Sequence, residues 1–214
     1  MIIKRLSRYK DQVKMILNQM EGIKKWQYDF MLDIFGLFLS IKGRMNFLQF
    51  GRYGKHCEQR YRGQFEKTFD FMTFNKESIL HYASDHQAIA FDPSYISKSG
   101  KHTPGVGYFW SGCASKAKWG MEIAGIAAID IDNHTGFHLE AVQTPNNLET
   151  ESLVDHYANV LIQRKDDLLC ISKYVLADAY FSKKKFVSKL CENGFEVISR
   201  LRDDADLQYK FYGQ

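Results

Sequence analysis

Cysteine is scarce: four in 214 residues, with no C-x-x-C pair and no histidines at zinc-finger spacing. Cys57, Cys113, Cys170 and Cys191 therefore argue against a disulfide-stapled domain or a structural zinc module. They read as reduced structural thiols of a cytoplasmic protein. Long apolar runs are missing too. The longest, Ile34 to Ile41, is far short of the roughly 20 residues that cross a bilayer, so no membrane role is expected. The basic N-terminus lacks the apolar stretch and cleavage site of a signal peptide. No phosphate loop is present: around Gly100-Lys101-His102, Tyr95 stands where the first glycine belongs and His102 where a Ser or Thr belongs.

Acidic residues are thin in the first third. Residues 1–67 hold fourteen Lys or Arg against six Asp or Glu, and the remainder holds fifteen against nineteen. That split suits a basic arm for a polyanion and an acidic body that holds cations. Aromatics are plentiful, with 16 Phe and 12 Tyr. Apolar periodicity predicts an amphipathic basic helix over 2–20, a second helix over 24–41 that is apolar almost all round, and a third over 65–82 broken near Thr73 to Asn75. Between them, residues 44–62 interleave basic and aromatic side chains with glycine. Arg44, Arg52, Lys55, Arg60 and Arg62 are candidate phosphate contacts. The alternative is a helix-loop-helix whose aromatics are core and whose charges are solvated.

From residue 85 the pattern becomes mixed α/β. Ala88 to Phe91 is a short apolar run that reads as a strand ending at Asp92, with Pro93 closing regular pairing. Tyr174 to Ala177 repeats this build and runs into Asp178, followed by a helix over 183–193 that Ser182 would cap. If the two strands are neighbours, the carboxylates stand about 5 Å apart and repel unless a cation lies between them. Oxygen-only ligation suits Mg²⁺ or Mn²⁺, and paired metals drive in-line phosphoryl transfer. Taken singly, either Asp also reads as a turn residue. Lys98 to Trp119 reads as a long basic loop, with Lys98 and Lys101 as further candidate DNA contacts. Strands follow at 123–131 and 137–142, joined by a turn, then a helix over 147–167 and a last strand over 195–201.

Ala-Phe-Asp-Pro-Ser-Tyr-Ile around Asp92 and Ala-Asp-Ala-Tyr-Phe-Ser around Asp178 resemble the first two acidic motifs of the DDE-type insertion-sequence transposases. The resemblance implies a helical DNA-binding domain over 1–84 and a ribonuclease H-like mixed sheet with helices over 85–214, an α/β (α+β) chain overall. It implies Asp92 and Asp178 as catalytic metal ligands for Mg²⁺ or Mn²⁺. It also implies double-stranded DNA at element ends as partner, and a homodimer in the intact family.

The family's third acid is a Glu within a Tyr-Arg-Glu-Lys signature, and no such stretch follows Asp178. Glu192 reads as a solvated helix residue. The expectation is thus a C-terminally truncated transposase without catalytic competence. The alternatives are a DNA-binding regulatory fragment without chemistry and a metal-dependent phosphatase built on Asp130 and Asp132. The latter would need a Thr where His134 stands, and turn chemistry accounts for both residues.

Overall fold

The computed structural model describes residues 2–100 and 102–205. Lys101 and the aromatic stretch 208–214 lie outside the described residues. Two compact units divide the chain, Met1–Ser78 and Ile79–Gln214.

The first unit is helical: α1 (Ile2–Gln19), α2 (Lys25–Ser40), α3 (Phe47–Tyr53), α4 (Glu58–Phe65) and the start of α5 (Phe71–Tyr82). Val13, Ile16 and Leu17 form the buried stripe of α1 at helical spacing, and Met20, just past its end, continues it. Only one side of α2 is buried, through Phe30, Met31, Ile34 and Leu37, whereas Phe38 and Leu39 are exposed. The all-round burial expected of α2 is not found.

Tyr61 is fully buried. Its hydroxyl donates to the Asp33 carboxylate and accepts from Lys55 N at 3.0 Å, which ties α2 to the α3–α4 turn. Gly54 is required there, since a Cβ would stand 1.9 Å from that hydroxyl. The expected break near Thr73 lies instead before α5. Asp70 accepts from Thr73 N at 2.9 Å, as a capping carboxylate does.

The second unit is a six-stranded mixed sheet with helices. Its strands are β1 (Gln87–Ser97), β2 (Gly107–Ser111), β3 (Lys116–Asp130), β4 (Thr135–Gln143), β5 (Tyr174–Ala177) and β6 (Glu196–Ser199). β3 runs antiparallel to β1 along one side and to β2 and then β4 along the other. β5 adds parallel to β1, and β6 parallel to β5. Four antiparallel strands with two parallel additions make the expected mixed sheet. Two elements depart from expectation.

β1 continues through Pro93 to Ser97, because β3 pairs with it over its whole length. β5 leaves β1 after Ala90, so the later half has a neighbour on one side only, an edge where a residue without N–H is tolerated. The supposed loop 98–119 likewise contains β2 and the start of β3.

The expected helix over 147–167 is two shorter ones, α6 (Leu153–Ile162) and α7 (Lys165–Leu169). A reciprocal capping box between Ser152 and Asp155 starts α6, later than the acidic residues at 149 and 151 suggest. A 3₁₀ turn over Ala179–Phe181 precedes α8 (Lys184–Cys191), so Ser182 does not cap it. All four cysteines are unpaired and exposed, so none fills the core.

One sheet face is closed by a ring cluster. Phe91 meets Tyr157 at 5.8 Å and Phe181 at 5.4 Å between centroids, and Phe181 meets Phe186 at 4.8 Å. Phe91, Phe181 and Phe186 are buried neighbours of the strand ends that carry Asp92 and Asp178. Phe91→Ala is expected to cost about 3–5 kcal/mol. Urea denaturation reads this as a lowered midpoint at unchanged slope.

Candidate functional site

Strand alternation decides which side chains share a face. Along β1, Ile89 and Phe91 face the helices, and Asp92, Ser94 and Ile96 take the other face. β5 enters in register with β1 at Ile89↔Val175 and Ala90↔Leu176. Asp178, the residue after β5, is still extended at φ −71°, ψ 176°. Continued by two residues, that register sets Asp178 level with Asp92. The pairing itself ends at Ala90 and Leu176, so the two carboxylates stand just past it, at the same end of parallel strands and close enough for the Asp178 charge to act on Asp92.

Both carboxylates are exposed. The surrounding protein nevertheless strips enough water from Asp92 that desolvation, followed by the Asp178 charge, raises its carboxyl above the usual range. Ser94 Oγ donates to Asp92 at 3.4 Å and offsets this in part. Asp178 is held from its own side. Its carboxylate accepts from Tyr180 N at 2.9 Å, and its carbonyl accepts from Ser199 Oγ at 2.7 Å. Two acidic oxygen donors thus come together, and neither forms an ion pair among the described residues.

Among the described residues, no third His, Cys, Asp or Glu completes a metal-binding group. Glu192 is exposed at the end of α8. Glu122 is buried on the opposite face, where Tyr157 Oη donates to it. Burial, then that carboxylate, pushes the Tyr157 hydroxyl well above the ordinary tyrosine value. Sequence reasoning missed this pair. Its signal was the β3 alternation, which puts Glu122 on the inward side.

Asp130 and Asp132 lie elsewhere. Asp130 is level with Gln87, five residues before Asp92 on β1 and so about 17 Å along the strand. Its buried carboxylate accepts from Ser84 N (2.9 Å), Ser84 Oγ (2.5 Å), Asn133 N (3.0 Å) and Asn133 Nδ2 (2.9 Å). These donors hold its carboxyl far below the usual range. Asp132 faces His86 at 3.0 Å. A phosphatase nucleophile needs a carboxylate free to attack, and Asp130 is fully occupied in closing a turn.

Arg44, Arg52, Lys55, Arg60, Arg62 and Lys98 are all exposed, and Lys101 lies outside the described residues. Arg62 is already engaged, bonded to Glu58 at 2.7 Å and lying 4.7 Å over the Phe47 ring. The aromatics Phe50 and Tyr61 of this stretch are core, while Tyr53 is exposed. A groove of about 720 Å³ in the helical unit sets the candidate Lys55 beside Lys10, Lys14 and Lys42, which sequence reasoning did not single out. Lys10, Lys14, Lys42 and Lys55 line it with Asp33, Gln49 and Tyr53. Lys10, Lys42 and Lys55 form no ion pair among the described residues, and Lys14 has only Asp11 at 3.9 Å. The one available hint was their spacing, with Lys10 and Lys14 on one face of α1.

No family model matches the sequence, and no curated protein matches it. Among solved structures, the chain is similar to the piggyBac transposase of a synaptic complex with hairpin DNA, with a TM-score of 0.38 and 12% identity. The match covers 94% of this chain and 42% of that one, so the chain spans under half of that transposase. No described helix is long and apolar enough to cross a membrane.

The two kinds of carboxylate have opposite linkage to pH. Asp92, raised by folding, destabilises the fold once ionised, above an unfolded pKa near 3.9. Asp130, depressed by folding, stabilises above that value and loses its contribution as pH falls below it. In metal-free protein at pH 7, Asp92→Asn is expected to melt at or above the parent temperature, and Asp130→Asn below it. Both differences should shrink below about pH 4. Thermal melts across pH 3–8 check the pair.

Proposed function

We propose that this chain is a DNA-transposition protein of the DDE type: its helical unit binds duplex DNA and its sheet holds a divalent cation. The observation that carries the reading is the placement of Asp92 and Asp178 at equivalent positions of neighbouring parallel strands. The acidic motifs around them resemble that family's first two. A cation suits the site on donor chemistry, because two oxygen ligands with unrelieved repulsion favour Mg²⁺ or Mn²⁺. Asp92 and Asp178 would hold it. When bound, such an ion stabilises charge on a transferring phosphate.

The rest falls to the chain itself. Ser94 and the Tyr180 N–H orient the carboxylates, and the buried rings beneath fix their strand ends. With two acidic ligands among the described residues, one cation is held and the reacting phosphate is poorly clamped. The 214-residue chain therefore binds DNA but does not cut or join it unaided. A regulatory DNA-binding role without chemistry is the second reading, favoured by that same absence of a third ligand.

Mn²⁺ is expected to raise the melting temperature of the parent chain, and Asp92→Asn or Asp178→Asn to erase that rise. Nicking and strand-transfer assays with Mg²⁺ and Mn²⁺ should show no product. Product that disappears in Asp92→Asn would show that the chain is catalytically complete after all. Failure of Mn²⁺ to shift either melt would leave the regulatory reading standing alone.

Duplex binding should be strongly salt-dependent and weakly sequence-dependent, since counterion release supplies most of the affinity. Replacing Arg52 and Lys55 by Ala should weaken it for all sequences and flatten the salt slope by roughly one unit per lost contact. Arg62→Ala should change it less, because Arg62 is already paired. Fluorescence anisotropy at several salt concentrations measures all three.

A further inference from the structure

Past Asp92, the sheet continues as a ribbon of β1, β3 and β2. The ribbon carries large aromatic side chains in the open: Tyr108 is 74% exposed, Trp110 63% and Trp119 39%, beside Ile96 at 42%. Register puts them together. Tyr108 is opposite Trp119, Trp110 opposite Ala117, and Ile96 opposite Met121. Because Asp92 is opposite Gly125 in the same ladder, alternation places all of these side chains on the face that carries Asp92. Ile96 is four residues on, about 13 Å along the strand.

The patch is built to stay in shape. Tyr95 Oη donates to Trp119 O at 2.6 Å. The Tyr95 ring passes so close to Gly120 that a Cβ there would stand 2.6 Å from it, and 2.4 Å from Ile96 O. Tyr108 and Trp119 already meet edge to face at 5.5 Å, leaving Trp110 as the open ring.

Charge identifies the kind of partner. From Pro93 to Met121 there is no Asp or Glu, and there are four lysines. Lys98, Lys116 and Lys118 are exposed and form no ion pair among the described residues. Protein–protein interfaces are depleted in lysine at their core. Exposed aromatics among unpaired lysines are instead the pattern of single-strand binding, where bases stack on rings and cations follow the backbone. A duplex keeps its base faces internally stacked and offers these rings little.

We propose that Tyr108, Trp110 and Trp119 form a stacking platform for an unpaired stretch of DNA, on the face of the sheet that carries the two carboxylates. The choice of DNA rests on the reading in the preceding subsection, and the platform itself needs only unpaired bases on a polyanionic strand.

The test uses the full chain with a labelled oligo(dT) 20-mer and a duplex of equal length, read by anisotropy and by quenching of tryptophan fluorescence. Single strand should bind and quench. Trp110→Ala should weaken it about tenfold, consistent with the loss of one base–aromatic stack. Trp110→Phe should restore most of that affinity. Duplex affinity should change little in either variant. Trp110 is exposed, so folding is not at risk, and circular dichroism verifies it.

Single-strand affinity unchanged in both Trp110→Ala and Tyr108→Ala would overturn the platform. So would an equal loss on duplex, which would make the ribbon a phosphate contact. A dimer in sedimentation that Trp110→Ala dissociates without altering DNA affinity would overturn it in favour of an interface between copies. Duplex binding without single-strand binding sinks this inference alone. Binding of neither sinks the DNA reading as well.

Discussion

The parallel pairing of β5 with β1 places two like charges side by side, and the rest of the sheet unit is arranged to tolerate that. Desolvation first and the neighbouring Asp178 charge second raise the Asp92 carboxyl, and both are unfavourable to the ionised pair. What holds the strand ends in place is apolar. Phe91 and Phe181, each within three residues of one of the carboxylates, pack against Tyr157 and Phe186 beneath the sheet. Burial of large rings stabilises by kilocalories each, whereas the repulsion acts between exposed groups in a high dielectric. The packing therefore wins, and an electrostatically strained pair persists on a stable support.

The same economy separates carboxylates that build from carboxylates that wait. Asp130 accepts four hydrogen bonds and closes a turn. Asp155 caps α6 through Ser152 and pairs with Lys185 at 2.5 Å, which together lower its carboxyl to about 2. Asp33 takes the hydroxyl of a buried tyrosine. Asp92 and Asp178 have few donors and form no ion pair among the described residues. The lowered carboxyls of Asp130 and Asp155 and the raised carboxyl of Asp92 follow from that difference in partners, with desolvation adding to the rise at Asp92.

Much of this was legible in the chain. Charge alone separated a basic helical part from an acidic mixed one, since net charge needs no fold to be counted. Short apolar runs ending in Asp92 and Asp178 marked strands, because an apolar run of strand length and a polar stop are local properties. The amphipathic stripe of α1 was readable for the same reason. Local signals misled where a partner overrode them. Pro93 looked like the end of β1, yet β3 pairs past it and the missing N–H falls on a one-sided stretch. The Gly-, Ser- and Lys-rich segment after it looked like a loop, and cross-strand pairing made a ribbon of it.

The sequence by itself determined the composition of each unit, the positions of the strands that carry Asp92 and Asp178, and the identity of those residues as the unusual acids. Only the tertiary structure decided that they stand at the same end of adjacent parallel strands, because strand neighbours far apart in sequence are set by long-range pairing that no local pattern encodes. It likewise decided that Asp130 is occupied, that Arg62 is paired while Lys42 has no ion pair among the described residues, and that Tyr108, Trp110 and Trp119 share the face of Asp92. Each of these depends on which residue from elsewhere in the chain comes within hydrogen-bonding or van der Waals reach. That is a property of packing, and periodicity carries no record of it.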